Sequence, residues 1–167
     1  FAELGVYRGE SARIIHEMNP DRDLHLYDTF DGFREADLSV EKSKEDKFRV
    51  SNFADTSLDG VKAFINGNEH IKFHPGHFPE SAADVEETSY AFVHLDADLY
   101  QPTLAALNYF YPRLSAGGVI IIHDYNHTWE GVRKAVEEFS KTIPETFVEI
   151  ADWNGSTMVV KNSAYSI

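Results

Sequence analysis

The sequence of 167 residues contains no cysteine. Disulfide bonds, thiolate metal sites and cysteine nucleophiles are therefore excluded, and the absence fits a reducing compartment, so we expect a cytoplasmic protein. Basic residues are also few, since Lys and Arg total 15 against 28 Asp and Glu, for a formal net charge of −13. An acidic chain without a basic patch repels polyanions, so we do not expect nucleic acid as a partner.

Long apolar runs are missing as well. No segment approaches the roughly 20 apolar residues that a membrane-spanning helix needs, and no basic segment followed by an apolar one opens the chain, so we expect no membrane partner. Hydrophobic residues still make up 43% of the composition, enough for the core of a single domain over residues 1–167. The chain starts at Phe1 inside a strand-like run without an initiator Met, and we expect that it lacks an N-terminal segment.

Short apolar runs alternate with amphipathic stretches, a pattern that predicts an α/β fold with helices on both faces of a parallel sheet. Only residues 152–156 separate the last two runs, which is too short for a helical crossover, so this pair should form an antiparallel hairpin. The predicted fold class is a doubly wound, mostly parallel seven-stranded sheet with an antiparallel C-terminal hairpin. The predicted strands are residues 1–6, 24–28, 70–74, 90–95, 119–123, 146–150 and 157–161.

Helical spacing of apolar residues predicts the segments between these strands. The predicted helices are residues 10–18, 55–66, 79–87, 103–114 and 131–143. Thr56 or Ser57 is the expected N-cap of the second, Gly117 should lie where the fourth stops, and Pro144 should end the fifth. Residues 29–53 are charged, show little periodicity and exceed the usual connection length, so we expect a mobile flap there.

Polar residues or glycines follow each of the first five predicted strands. In open parallel sheets, ligands bind beyond the carboxyl ends of the strands, near the point where strand order reverses, so these residues should border one site. Asp and Gly also favour turns, which is an alternative explanation for any one of them. The signals are Gly5 to Gly9, Asp28, Gly76 to Phe78, Asp96 with Asp98, and His123 with Asp124.

The first of these turns contains Gly5 and Gly9 and leads into a helix whose first turn holds Ser11. Glycine lets the backbone approach a ligand, but Tyr7 stands where the dinucleotide fingerprint has its second glycine, so a pyrophosphate would meet a bulky side chain. S-adenosylmethionine has no phosphate, and its positive charges suit an acidic site. Asp28 follows Gly5 at roughly the 20-residue offset of a carboxylate that binds ribose hydroxyls, although it could simply end the second strand.

Asp96, Asp98 and Asp124 end neighbouring apolar strands. Two like charges 4 Å apart repel by about 4 kcal/mol at an effective dielectric constant near 20, so the carboxylates diverge, take up protons or surround a cation, which we favour. Oxygen ligands suit Mg²⁺ or Mn²⁺, and His123 as a ligand would favour Mn²⁺ or another transition metal. His123 could instead pack or form a hydrogen bond, and Asp98 could be a charge at the N-terminus of the next helix.

Five motifs extend over nearly the whole chain. They are Glu-Leu-Gly-Val-Tyr-Arg-Gly-Glu-Ser at 3–11, Leu-Tyr-Asp-Thr-Phe-Asp-Gly-Phe at 26–33, Gly-His-Phe-Pro at 76–79, Leu-Asp-Ala-Asp-Leu-Tyr-Gln-Pro-Thr at 95–103, and Phe-Tyr-Pro-Arg-Leu at 110–114 with the Gly-Gly-Val at 117–119 and Asp-Tyr at 124–125 that follow it. Together they resemble the macrocin O-methyltransferase family, whose members methylate sugar hydroxyls on glycosylated natural products.

The resemblance implies a class I methyltransferase (Rossmann-like) fold, S-adenosylmethionine as cofactor, and Mg²⁺ held by Asp96 and the acidic pair after the fifth strand. It also implies that Asp98 is the general base and that the acceptor is a hydroxyl of a small molecule, expected to be a sugar, in natural-product biosynthesis. The expected cofactor-binding residues are Glu3, Gly5, Gly9, Ser11, Asp28, Thr29, Gly76, Phe78 and Asp96, and the expected metal ligands are Asp96, His123 and Asp124.

Two departures from the family bear on function. Where the family has two adjacent aspartates after the fifth strand, this chain has His123 and Asp124, so the ion and even its presence stay open. The expected lack of the segment that covers the substrate leaves the sugar open. The oligomeric state also stays open, with a homo-oligomer as one alternative. We expect a divalent-metal-dependent O-methyltransferase that uses S-adenosylmethionine. The alternatives are a cofactor-binding module with a decayed catalytic site and, disfavoured by Tyr7, a nicotinamide-dependent oxidoreductase.

Overall fold

A computed structural model describes residues 1–39, 41, 49–86, 88–127 and 130–162. Within this part of the chain, seven strands form one sheet, in the order β3-β2-β1-β4-β5-β7-β6. The strands are β1 (Ala2–Leu4), β2 (Leu24–Asp28), β3 (Ile71–Pro75), β4 (Tyr90–Leu95), β5 (Leu114–Ile122), β6 (Val148–Glu149) and β7 (Thr157–Val160).

The sheet is mostly parallel and doubly wound. Neighbouring strands from β3 to β5 run parallel, whereas β7 is antiparallel to both β5 and β6. The chain passes from β1 outwards to β2 and β3 and then returns to β4 on the other side of β1, so strand order reverses between β1 and β4. These observations confirm the predicted fold class and the C-terminal hairpin.

Helices cover both faces of this sheet. They are α1 (Glu10–Met18), α2 (Glu35–Leu38), α3 (Leu58–Ile65), α4 (Tyr100–Arg113) and α5 (Glu130–Phe139). On β2, Leu24 and Leu26 pack with residues of α1 and α3, while Tyr27 packs with residues of α4 and α5. Because successive side chains of a strand point to opposite faces, the two apolar clusters lie on opposite sides of the sheet.

Several predicted boundaries agree with the structure. Helix α1 and strands β2 and β4 begin and end where the sequence predicted them. Ser57, one of the two predicted N-caps, precedes α3, and its hydroxyl accepts a hydrogen bond of 3.2 Å from the N–H of Gly60. This contact satisfies one of the unpaired donors of the first helical turn.

The helix predicted over residues 103–114 begins earlier, at Tyr100. The Glu41 carboxylate accepts a hydrogen bond of 2.6 Å from the backbone N–H of Tyr100 and so satisfies a donor of the first turn. The expected stop at Gly117 is wrong, since β5 begins at Leu114 directly after the helix. Pairing of Leu114 with β4 continues the sheet there, so a tertiary contact overrides the local glycine signal.

Two other predicted segments also differ. The helix predicted over residues 79–87 is one 3₁₀ turn, Glu80–Ala82, which is enough to bury Ala82. The flap predicted over residues 29–53 contains the short helix α2, and its residues 40 and 42–48 lie outside the described residues. Within the described part of the chain, none of the helices combines the length and the apolar character of a membrane span.

Candidate active site

The carboxyl ends of the five parallel strands open onto a cavity of about 360 Å³ beside the reversal of strand order. This volume is in the ordinary range for small-molecule sites, and the position is the expected one for an open α/β sheet. Most of the predicted site residues line the cavity, namely Gly5, Asp28, Thr29, Gly76, Phe78, Asp96, Asp98, His123 and Asp124. The remaining three, Glu3, Gly9 and Ser11, are not among the lining residues, and their contact with a cofactor stays a prediction.

Glycine is required at positions 5 and 9 because neighbouring protein atoms leave too little room for a side chain. Both have φ of +87°, which side chains rarely adopt. A Cβ atom on Gly5 would lie 1.8 Å from the carbonyl oxygen of Asp96, and a Cβ atom on Gly9 would lie 3.0 Å from side-chain carbons of Val61 and Ile65. The glycines therefore let β1 approach β4 and the first turn approach α3, a reason that the sequence did not reveal.

Glu3 lies inside the sheet, behind the cavity. Its side chain is fully buried, and its Oε1 lies 2.8 Å from Nδ1 of His94 on the neighbouring strand. Its Oε2 has no hydrogen-bond partner among the described residues. Burial raises the pKa of the Glu3 carboxyl. Glu3 is thus a buried polar residue of β1 that does not line the cavity.

Asp28 organises the first turn from the end of β2. Its Oδ2 accepts hydrogen bonds from the backbone N–H groups of Val6 (2.7 Å) and Tyr7 (2.8 Å), and its Oδ1 accepts one of 2.7 Å from Phe30. Each carboxylate oxygen has several lone pairs, so Asp28 can still accept a hydrogen bond from a ribose hydroxyl. The structure therefore adds a loop-holding role to the predicted ribose contact.

Replacing Asp28 by Ala is expected to weaken S-adenosylmethionine binding about 10- to 100-fold, because backbone N–H groups lose their acceptor and the ribose loses its partner. Isothermal titration calorimetry measures the affinity, and Asp31→Ala, an exposed acid in the same segment, is the matched control. An unchanged affinity of the Asp28 variant would refute the ribose role. A lower melting temperature with unchanged affinity would leave only the loop-holding role.

Asp96, His123 and Asp124 form a cluster whose nitrogen and carboxylate ligand atoms all lie within 4.8 Å of one another. Nδ1 of His123 lies 3.0 Å from Oδ1 of Asp96 and 3.3 Å from Oδ1 of Asp124. They are ion pairs when the imidazole is protonated, and the buried Nδ1 has no hydrogen bond of good geometry within the described residues. Asp124, and then Asp96, raise the pKa of His123 to about 10. An imidazole that carries both protons would place positive charge between the two carboxylates.

Asp98 faces the same cluster from the turn after β4. Burial, followed by the charges of Asp96 and Asp124, raises the pKa of the Asp98 carboxyl well above its usual range. Asp98 and Asp124 both have φ of +58°, a conformation that Asp tolerates better than most residues and that is common at functional sites. Contacts of His123 with Asp96 and Asp124 therefore offset part of the predicted repulsion among the three carboxylates.

Sequence reasoning missed Asp37 and Asn154 as lining residues, and it included His77 in the signal after the third strand without giving it a role. Nε2 of His77 lies 2.7 Å from Oδ2 of Asp37, and Nδ1 of His77 lies 2.8 Å from Oε2 of Glu80, so His77 joins α2 to the turn after β3. Asn154, from the β6–β7 loop, contacts His123. The histidine within the motif at 76–79 was a visible signal for His77, whereas no pattern indicated Asp37 or Asn154.

Comparison with known proteins places the chain in a family. The model of the macrocin O-methyltransferase (TylF) family matches residues 1–157. The chain belongs to this family. The recognised resemblance is thereby confirmed, and the match includes all the cavity residues described above.

Two curated relatives in this family show similar identity. The chain is 30% identical over 148 residues to 8-demethyl-8-(2,3-dimethoxy-alpha-L-rhamnosyl)-tetracenomycin-C 4'-O-methyltransferase of Streptomyces olivaceus, covering 82% of this chain and 56% of that protein. It is 29% identical over 164 residues to mycinamicin III 3''-O-methyltransferase of Micromonospora griseorubida, covering 89% of this chain and 63% of that protein. The chain therefore spans between half and two-thirds of the length of these relatives.

The solved structure of the O-methyltransferase NovP has the same fold. It superposes with a TM-score of 0.82 at 22% sequence identity, over 98% of this chain and 72% of that chain. This likeness confirms the class I O-methyltransferase fold that the macrocin O-methyltransferase motifs implied.

The residues at the cluster fit a divalent metal ion. Two carboxylates and one imidazole nitrogen lie close enough to share an ion, and the buried Nδ1 of His123 lacks a hydrogen-bond partner in the described part of the chain. Mixed nitrogen and oxygen ligands suit Mn²⁺ and other transition metals better than Mg²⁺, which prefers oxygen. Metal binding through Nδ1 requires that this nitrogen release its proton.

Proposed function

We propose that the chain is the catalytic core of an O-methyltransferase that moves a methyl group from S-adenosylmethionine to a hydroxyl of a sugar or glycosylated small molecule. The observation that carries the proposal is the meeting of the glycine turn of β1 with Asp96, Asp98 and Asp124 around one cavity. Membership of the macrocin O-methyltransferase family supports the methyl donor. The name of the relative that acts on a rhamnosyl tetracenomycin supports a glycosylated acceptor.

The cavity suits the donor in charge and in shape. S-adenosylmethionine supplies an electrophilic methyl group on a positively charged sulfur, and the acidic lining matches that charge. On the flap side, the Phe53 ring lies edge-to-face with the rings of Phe33 (5.4 Å between centroids) and Tyr7 (5.2 Å). Such an aromatic wall can pack against a purine.

Asp98 is placed to remove the acceptor's proton. Methylation of a hydroxyl forms an oxygen–carbon bond, breaks the sulfur–carbon bond and releases S-adenosylhomocysteine and one proton. The Asp98 carboxyl takes this proton when it is ionised, and its raised pKa makes the ionised form a stronger base than an ordinary Asp. Alignment of the hydroxyl with the methyl group by the cavity walls supplies much of the remaining acceleration.

The cluster of Asp96, His123 and Asp124 would hold a divalent ion. Such an ion lowers the pKa of a hydroxyl bound beside it, which eases the proton's transfer to Asp98. His123 stands where the family resemblance led us to expect an aspartate, and an imidazole ligand favours Mn²⁺ over Mg²⁺.

Replacing Asp96 or Asp124 by Asn is expected to weaken Mn²⁺ binding at least tenfold and to abolish metal-dependent turnover, because each change removes a charged ligand. For Asp124→Asn, affinity for S-adenosylmethionine should stay within about threefold of the original, since the remaining carboxylates still match the positive charge of its sulfur. Metal titration and donor calorimetry on the same preparations measure both quantities. Equal losses of metal and donor affinity would undo the assignment of metal ligands.

The decisive experiment incubates the purified protein with S-adenosylmethionine, Mn²⁺ or Mg²⁺, and a panel of rhamnosylated aromatic and macrolide acceptors. Mass spectrometry should detect S-adenosylhomocysteine together with a singly methylated acceptor. A matched panel of aglycones should give no product. Methylation of the aglycones alone would contradict a sugar acceptor.

A cofactor-binding module without catalysis is the second candidate. The observation that favours it is the contact of Nδ1 of His123 with both Asp96 and Asp124, where an imidazolium would stand in for a metal ion. It predicts donor binding with no metal binding and no turnover. The remaining alternative, a nicotinamide oxidoreductase, predicts a thermal shift with NAD and none with S-adenosylhomocysteine. The family membership argues against it.

A further inference from the structure

The loop between β6 and β7 reaches the acidic cluster through one side chain. The side-chain amide nitrogen Nδ2 of Asn154 lies 2.8 Å from Nε2 of His123, although the two residues are 31 positions apart. Asn154 also lines the cavity. Neither the motifs nor the proposed reaction uses this residue.

The loop that carries Asn154 is held from both ends. The N–H of Ser156 donates to Oδ1 of Asp152 at 2.9 Å, and the N–H of Ile150 donates to the carbonyl of Ser156 at 2.8 Å. The N–H of Asn126 donates to the carbonyl of Gly155 at 2.8 Å, which ties the loop to the segment after Asp124. The hydrogen bonds that hold this loop are therefore made by neighbours of Asn154, and none of them uses the Asn154 side chain.

The two nitrogens of an imidazole ring have linked roles. A ring that binds a metal ion through Nδ1 carries its hydrogen on Nε2, and that hydrogen needs an acceptor that also orients the ring. The Asn154 amide is within reach of Nε2 of His123. An amide turned by 180° has the same shape and places Oδ1 where Nδ2 was, so the one side chain can accept this hydrogen bond.

We propose that Asn154 is a positioning residue for His123. Its amide oxygen accepts the Nε2–H and holds the ring so that the lone pair of Nδ1 points between Asp96 and Asp124, where it serves as a ligand for a divalent cation. The inference rests on the metal site in the proposed function and adds an outer contact to it. Such contacts commonly change metal affinity 10- to 100-fold.

The positioning role of Asn154 can be tested without any turnover by titrating the full chain with Mn²⁺. The electron paramagnetic resonance signal of the free ion reports how much Mn²⁺ is bound. Asn154→Ala is expected to weaken Mn²⁺ binding at least tenfold, whereas Asn154→Asp, which keeps an acceptor, should bind Mn²⁺ at least as tightly as the original chain. Trp153→Ala is the matched control in the same loop, because Trp153 is 98% exposed. It should leave the affinity unchanged.

A second pair of variants separates positioning from general disturbance. In the His123→Asp background, the imidazole is gone, so adding Asn154→Ala should change Mn²⁺ affinity less than twofold. A tenfold loss in that background as well would overturn the inference, as would an unchanged affinity of Asn154→Ala alone. If the original chain binds no Mn²⁺, the inference fails too, and calorimetry with S-adenosylmethionine then shows separately whether the methyl-donor site stands.

Discussion

Replacing Asp98 by Asn is expected to lower the turnover number for methyl transfer about 100- to 10,000-fold, the usual contribution of a general base. Asn has the same shape as Asp but cannot take up the hydroxyl proton. It also tolerates the φ of +58° at this position, so the turn after β4 should persist. The measurement is S-adenosylhomocysteine formation at saturating donor and acceptor.

Two comparisons make the Asp98 result specific. Asp84→Asn changes the net charge equally at an exposed position and should leave turnover unchanged. Donor affinity of Asp98→Asn should stay within about twofold, because a base acts on the transition state more than on donor binding. A turnover loss below tenfold would contradict the assignment. A matching fall in donor affinity and melting temperature would give Asp98 a structural role instead.

Replacing Gly5 by Ala is expected to destabilise the fold by about 2–5 kcal/mol. A left-handed backbone costs a side chain about 1–2 kcal/mol, and overpacking costs roughly 1–3 kcal/mol. The added Cβ atom would lie 1.8 Å from the Asp96 carbonyl oxygen, so β1 and β4 must separate. At about 2–4 °C per kcal/mol for a chain of this size, the melting temperature should fall by roughly 5–20 °C, as measured by circular dichroism.

Gly117→Ala is the matched control for Gly5→Ala. Gly117 has a similar φ of +76°, but a Cβ atom there meets nothing within 4 Å. This change should cost only the backbone term of about 1–2 kcal/mol. Equal drops in melting temperature for the two variants would show that the close approach of β1 to β4 does not limit stability. S-adenosylmethionine binding should be lost along with the fold in Gly5→Ala and kept in Gly117→Ala.

Local patterns predicted most of the fold because they record which face of each element is buried. The strands predicted from the short apolar runs at residues 24–28 and 90–95 match β2 and β4 residue for residue. The boundaries that differed depend on distant partners. Helix α4 starts at Tyr100 where Glu41 supplies an acceptor, and β5 starts at Leu114 where β4 supplies a pairing partner.

The candidate site was also predicted only in part from the sequence. Carboxylates that follow apolar strands must meet at one edge of a parallel sheet, so Asp28, Asp96, Asp98 and Asp124 could be grouped from the sequence. The reason for glycine at position 5 could not be predicted from the sequence. The atom that excludes a side chain there is the carbonyl oxygen of Asp96, which is distant in the sequence.

By itself, the sequence determined the fold class, the family and the ring of acidic strand ends, since periodicity and strand-end chemistry are local properties of the chain. Only the tertiary structure decided how these charges are balanced. His123 lies between Asp96 and Asp124, and Asn154 reaches it from a loop 31 positions away. Such contacts arise when packing brings distant segments together, and no local pattern specifies which side chain will arrive.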